Sequence, residues 1–136
     1  MHLLLLFAAS LSCPVLTTAS VAGVLGEVQV TVAGPECVFT GADYKLTVEV
    51  TQLAAPDKFS DFAASNCRGA LETTPLRAIG NEALACRFAN LADKIVGRVR
   101  NRAFVLFLNT TDKAQDARSM RTKITALSEQ VAGNLF

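Results

Sequence analysis

The first half of the chain alternates apolar and polar residues in the manner of half-buried strands. Residues 28–33 and 44–51 place Val, Leu or Tyr at every second position, and residues 37–39 carry a cysteine and a phenylalanine two apart. Gly34-Pro35 and residues 41–43 separate these segments as turns. Strict alternation indicates strands with one buried and one wet face, so this region predicts three antiparallel strands.

The second half contains another group of strand signals. Residues 84–88 alternate, and residues 94–99 and 102–108 predict a hairpin that turns at Arg100 and Asn101, because Asn tolerates the left-handed conformation of such a turn. The run Phe104 to Leu108 (FVLFL) has no polar alternation. We therefore expect it to form a central strand that is covered on both faces.

Helical signals occur at three places. Residues 16–26 predict a short helix capped by Thr17 and ended by Gly26, and Pro56 is suited to the first turn of a second helix. Residues 114–131 repeat apolar side chains at steps of three and four, which predicts a third helix with Thr111 as its cap and Gly133 as its end. Glu72 to Pro75 is expected to be a loop.

The resulting order of elements is α-βββ-α-βββ-α. Consecutive strands joined by short turns indicate an antiparallel sheet. The sequence therefore predicts an α+β fold with about six strands and with the helices packed on one face of the sheet. The whole of residues 13–136 is expected to form one domain, since the chain has 136 residues and no linker or low-complexity stretch.

Charge and composition exclude some classes of partner. A hydrophobic fraction of 51% can fill a core, and the formal net charge is only +1, from 13 Lys and Arg against 12 Asp and Glu. A protein that follows a phosphate backbone normally carries a basic surplus. We therefore expect no nucleic-acid partner, and the apolar run near the N-terminus is too short to span a bilayer.

Residues 1–12 predict a secretory signal peptide. An unbroken apolar run from Leu3 to Ala9 is followed by small residues before Cys13, although the segment before the run holds His2 and no Lys or Arg. Removal of this segment would leave no histidine in the mature chain. With no C-x-x-C spacing either, we expect no metal site and no cofactor.

Several short motifs resemble a known group of bacterial proteins. Cys13-Pro14-Val15-Leu16-Thr17 with Val21 to Gly26, then Glu36-Cys37-Val38-Phe39, then Ile79 to Ala83, resemble in order and spacing small bacterial envelope domains of unknown function, many of them lipoproteins. The chain departs from that pattern at Ile79 and Asn81, where Gly and Asp are usual. The resemblance implies an α+β sandwich distantly similar to the photosystem protein PsbP, and it implies no catalytic residues.

The four cysteines are expected to form disulfides, because an exported chain with an even cysteine count usually pairs them. We predict bonds Cys13–Cys37 and Cys67–Cys86. Ser10-Leu11-Ser12-Cys13 is also a weak lipidation signal, and a lipidated Cys13 could not join a disulfide. We prefer the disulfide, with a periplasmic or secreted product rather than a lipid-anchored one.

Two kinds of candidate site remain. Arg98, Arg100 and Arg102 on the predicted hairpin could bind an anionic ligand or an acidic partner, or they could simply be solvated residues that protect a strand edge. The carboxylate pairs Asp57/Asp61 and Asp112/Asp116 are spaced to share a helix face, but both are predicted in first helical turns, where acids favour the macrodipole. We therefore expect no catalytic residues.

These observations favour an exported, non-enzymatic envelope domain that binds a protein or a small ligand. Two alternatives stay open: a secreted protein inhibitor, and an enzyme of unrecognised type that uses carboxylates. The enzyme would need a close, partly buried carboxylate pair in a cleft. The binding domain and the inhibitor would both need an exposed apolar patch, which the inhibitor would place on a protruding loop.

Overall fold

The computed structural model describes residues 12–136, and it places one seven-stranded sheet and three α-helices within them. The helices are α1 Thr18–Leu25, α2 Phe59–Asn66 and α3 Ala117–Leu135. The strands are β1 Val28–Ala33, β2 Glu36–Gly41, β3 Tyr44–Gln52, β4 Glu72–Leu76, β5 Glu82–Arg87, β6 Asp93–Val99 and β7 Arg102–Thr110. Single 3₁₀ turns occupy Pro56–Lys58 and Ala89–Leu91.

All neighbouring strands run antiparallel, in the order β1-β2-β3-β7-β6-β5-β4 across the sheet. Each group of three or four consecutive strands forms a meander, and the long strands β3 and β7 join the two meanders at the centre. Phe104, Leu106 and Leu108 of β7 are fully buried, and Val105 and Phe107 between them are half-buried. The predicted α+β class, the element order and the central position of this strand are confirmed.

The larger core lies between one face of the sheet and helices α1 and α3. Helix α3 contributes the apolar stripe that its sequence predicts, and the members of this stripe are fully buried: Met120, Ile124, Leu127 and Val131. They pack with alternate residues of the central strands, such as Leu46 and Ile95. The apolar residues that recur every 3.6 positions in the helix thus pack in one cluster with the apolar residues that recur every two positions in the strands.

The middle helix packs on the opposite face, which corrects the expectation that all helices share one face. Phe59 and Ala63 of α2 form a second cluster with Val96 and Ala103, while Ile95, the neighbour of Val96, belongs to the larger core. Consecutive strand residues point to opposite faces, so the two clusters lie on opposite sides of the sheet. Strands β6 and β7 are apolar on both sides and therefore need a cover on each.

The segment Glu72–Leu76 is a seventh strand and not the loop that the sequence suggested. It pairs with β5 at the edge of the sheet, with Pro75 opposite Leu84. Proline lacks an N–H and is tolerated on an edge strand, where one side of the backbone needs no partner. The polar residues and the proline that suggested a loop are thus compatible with an edge.

Both ends of the last helix differ from the prediction. Asp116, and not Thr111, is the cap, since its Oδ1 accepts a hydrogen bond from the N–H of Ser119 at 2.8 Å. The helix continues past Gly133 to Leu135, which is buried against the core. Burial of Leu135 explains why the final turn persists beyond a residue that normally favours a helix end.

The predicted start of α1 and both predicted disulfides are confirmed. Thr17 accepts a hydrogen bond from the N–H of Ser20 at 3.0 Å. Cys13 is bonded to Cys37, and Cys67 is bonded to Cys86. Apart from Ser12, the predicted signal peptide lies outside the described residues. No helix within residues 12–136 combines the length and the hydropathy needed to cross a membrane.

Candidate functional site

A groove of about 900 Å³ lies beside helix α2, and we call it the α2–β4 groove. Its floor is the outer part of the sheet, where Thr73 and Pro75 of β4 lie next to Leu84 of β5. Its wall is α2, and the side along the sheet edge is open. The groove exists because α2 covers β6 and β7 but leaves the same face of β4 uncovered.

Three residues of α2 and the residue that follows it form the wall at steps of three and four: Ser60, Ala63, Ala64 and Cys67. Small side chains at these positions keep the groove open, since a larger residue would fill the space above β5. Phe59 closes the bottom of the wall and is 5% exposed, because its ring also packs in the cluster beneath the helix. The wall is therefore apolar along most of its length.

The carboxyl end of α2 is fixed to the sheet by a covalent bond and a lysine. The Cys67–Cys86 disulfide joins the last turn of the helix to β5. Lys94 Nζ donates to the carbonyl oxygen of Asn66 at 2.8 Å, at the end of the helix where a cation is favourable. Burial lowers the pKa of Lys94 below its ordinary value. These contacts fix the width of the groove at this end.

Polar groups gather at the other end of the groove, around the loop between β4 and β5. Arg77, Asn81 and Glu82 line this end. Gly80 has a positive φ of 61°, and a Cβ on it would collide with the carbonyl oxygen of Arg98. The loop therefore packs against the β6–β7 hairpin through a position that requires glycine.

The predicted arginine hairpin does not present three side chains on one surface. Arg98 pairs with Ala103 on the α2 face of the sheet, whereas Arg102 pairs with Val99, whose side chain belongs to the opposite core. Arg100 is exposed at the turn, and it rather than Asn101 adopts the left-handed conformation, with a φ of 57°. The structure thus separates Arg98 from Arg102.

Arg98 and Arg100 instead support the polar end of the groove. Arg98 Nε donates to Glu82 Oε2 at 2.6 Å, and its guanidinium also donates to the carbonyl oxygen of Arg100. The backbone N–H of Arg100 donates to Asn81 Oδ1 at 2.6 Å. These bonds hold the side chains of Asn81 and Glu82 in place beside the groove.

The two carboxylate pairs lie outside the α2–β4 groove. Asp57 and Asp61 are both exposed and lie outside the lining of the groove. Asp112 precedes helix α3 and accepts from the N–H of Ala114, while Asp116 caps the helix. The pair predicted on one helix face is therefore divided between a turn and a cap.

Sequence reasoning missed the ion pair that anchors α3. Asp93, at 1% exposure, accepts two hydrogen bonds from the guanidinium of Arg121, at 2.6 and 3.0 Å. A buried carboxylate needs such a partner, and bidentate geometry is the strong form of this contact. The pair lies on the α3 face of the sheet and is structural.

A smaller hollow of about 260 Å³ lies at the start of β3, around Tyr44. Burial, with added repulsion from Asp112 and Asp43, raises the pKa of the Tyr44 phenol above its ordinary value. Lys123 Nζ lies 5.8 Å from the centre of the ring. A raised pKa means that this phenol loses its proton less readily than the phenol of a free tyrosine.

No protein-family model, curated protein sequence or solved structure matches this chain. Within residues 12–136, no three residues among His, Cys, Asp and Glu cluster in a way that could hold a metal ion. The function is therefore inferred from the groove itself. The sequence did not identify its lining residue Arg77 as a candidate. The consecutive threonines Thr73 and Thr74 are the signal that could have placed a strand before Arg77, since Thr is enriched in strands.

Proposed function

We propose that this chain is an exported binding domain without enzymatic activity, and that it holds a small amphipathic ligand in the α2–β4 groove. One observation carries the proposal: small and apolar side chains dominate the groove along α2 and β5, and its charged and amide side chains, Arg77, Asn81 and Glu82, lie together at one end. A ligand with an apolar body and one polar end matches this division.

The size and stiffness of the groove support this proposal. Ligand sites in proteins commonly measure about 300–1,000 Å³, and the groove has about 900 Å³. Apolar area removed from water contributes roughly 25 cal/mol per Å², so Leu84 and Pro75 supply a driving force on the floor. The Cys67–Cys86 bond preorganises the wall, which reduces the entropy lost on binding.

An extracytoplasmic location agrees with the two disulfides, since such bonds persist in oxidising compartments. The predicted signal peptide of residues 1–12 supplies the route of export. We propose a periplasmic or secreted protein rather than a lipid-anchored one, because the sulfur that lipidation of Cys13 would use is engaged with Cys37.

The two alternative functions find less support in the described residues. An inhibitor needs an apolar patch on a protruding loop, and the large exposed apolar side chains among residues 12–136, Leu71 at 64% and Phe136 at 67% exposure, lie before β4 and after α3 rather than together on one loop. An enzyme that uses carboxylates needs two of them in a cleft, and the groove contains only Glu82, which is paired with Arg98.

The proposal is tested by filling the groove from its wall. Ala64 is exposed and lines the groove, and Ser65 is exposed and does not. We expect the wild type and Ser65→Trp to bind the neutral apolar dye N-phenyl-1-naphthylamine, with dodecanol displacing it. Ala64→Trp should bind the dye at least about tenfold more weakly, because the indole occupies the volume of the ligand.

Two results would contradict the proposal. One is a wild-type protein that neither binds the dye nor binds dodecanol by calorimetry. The other is an Ala64→Trp variant that binds as tightly as Ser65→Trp while circular dichroism shows both to be folded.

A further inference from the structure

We infer that the ligand of the α2–β4 groove is a single-chain amphiphile with an anionic head, and that Arg77 binds this head. The inference rests on the proposed function and adds the chemical class of the ligand. The positive charges around the groove exceed the negative ones by one.

Arg77 is exposed at the polar end of the groove. The ion pairs among residues 12–136 engage the other groups Arg87, Arg98 and Arg121, so Arg77 is paired with no described carboxylate. Glu82 is the only acidic residue of the lining, and Arg98 neutralises it at 2.6 Å. The groove therefore carries one uncompensated positive charge, at its polar end.

Uncharged hydrogen-bond donors line the same groove. Asn81 Oδ1 already accepts from the N–H of Arg100, which leaves the side-chain amide of Asn81 to act as a donor. Ser60 supplies a hydroxyl from the first turn of α2. The guanidinium of Arg77 can form two parallel hydrogen bonds to a carboxylate or a phosphate. An anionic head would thus meet donors on several sides.

The direction of α2 places its amino end beside the polar end of the groove. The last turn of α2 is tied to Cys86, so its first turn lies at the other end of the groove, beside the loop that carries Asn81. The positive end of the helix dipole at this start already faces acidic side chains, since Asp57 lies in the preceding 3₁₀ turn and Asp61 in the first turn of α2. Neither carboxylate lines the groove, and the preference for an anionic head therefore rests on Arg77 and not on the helix.

The chemistry of the head is an oxyanion, which a fatty acid and a phosphate monoester share. We would measure binding of laurate, dodecyl phosphate, dodecanol and dodecyltrimethylammonium to the intact protein by calorimetry, below the concentration at which each forms micelles. Both anions should bind about three- to fivefold more tightly than dodecanol, because an ion pair with an exposed arginine contributes only modestly in water. The cation should bind more weakly than dodecanol.

Arg77→Gln should remove the preference for the anions and leave the affinity for dodecanol unchanged. Arg68→Gln is the matched control, because Arg68 is also exposed and lies outside the groove lining, and it should behave as the wild type. Tighter binding of laurate than of dodecyl phosphate would identify a carboxylate source, and the reverse order a phosphate source; both orders support the inference.

Failure of this inference is distinguishable from failure of the proposed function. If dodecanol binds but the anions bind no more tightly, or if their advantage survives in Arg77→Gln, the groove binds apolar ligands and the anionic head is wrong. If none of the four compounds binds, the proposed function fails as well.

Discussion

Gly97 in the middle of β6 provides a sharp test of the register that builds the groove. It is paired with Phe104 of β7, and both residues are buried. A Cβ on Gly97 would stand over the ring of Phe104, nearest to Cζ and 2.9 Å from both Cε1 and Cε2. This pairing also places Arg98, the next residue, on the face of the groove.

Gly97→Ala should therefore destabilise the protein substantially. Non-bonded carbon atoms prefer a separation of about 3.5–4.0 Å, so the ring would have to withdraw by roughly 1 Å into a core that has no space for it. Overpacking of this kind costs typically about 1–3 kcal/mol, and we expect about 2 kcal/mol here. For a domain of this size the loss corresponds to a fall of roughly 6–10 °C in Tm.

The assay is urea unfolding with the disulfides intact, followed by circular dichroism. Gly133→Ala is the matched control, because a Cβ at Gly133 meets nothing within 4 Å and this residue lies inside helix α3. The control should raise the free energy of unfolding by about 0.5–1 kcal/mol. Combining Gly97→Ala with Phe104→Leu should cost less than the sum of the two single changes, since the smaller side chain yields space. A Gly97→Ala variant within about 0.5 kcal/mol of the wild type would refute the reasoning.

Two further predictions concern the fixed end of α2. Replacing Cys67 and Cys86 by Ala should lower the free energy of unfolding by about 3 kcal/mol, as expected for a bond that spans 19 residues, and should weaken dye binding. Replacing Cys13 and Cys37 by Ala should lower the free energy of unfolding by a similar amount and leave dye binding unchanged. Equal binding losses in the two double variants would contradict this. Because burial lowers the pKa of Lys94, the unfolded chain holds this proton more tightly than the folded one, so stability gains as pH rises toward 10.5. The free energy of unfolding, measured between neutral pH and pH 10.5, should rise with pH in the wild type and lack this rise in Lys94→Met. Equal slopes of the free energy of unfolding against pH in the two proteins would contradict a lowered pKa of Lys94.

The sequence predicted the framework of the fold because hydrophobic period reports which side of each element is buried. The strict alternation of β3 and the apolar stripe of α3 each gave the element and its buried face. The same reasoning assigned each cysteine to a helix end or a strand, and both predicted disulfides, Cys13–Cys37 and Cys67–Cys86, are present. These features depend on residues close in sequence.

The parts that escaped prediction depend on neighbours distant in sequence. Whether α2 covers one face of the sheet or the other is decided by the two-sided apolar character of β6 and β7, and not by α2 itself. Pro75 made an edge strand resemble a loop, which hid the floor of the groove. Arg77 could not be recognised as a site residue from the sequence. Its charge is known to be unpaired only because the structure shows that Glu82 forms its ion pair with Arg98.

The most direct test of the account is an amide chemical-shift titration of the isotopically labelled wild-type protein with laurate. We expect saturable shifts that are largest at Arg77, Asn81 and Leu84 and along the groove side of α2, with little change at Met120 of α3 or at Val30 of β1. Shifts centred on the α3 face or on the β1 edge, or no saturable shifts at all, would contradict the claim that the α2–β4 groove is the binding site.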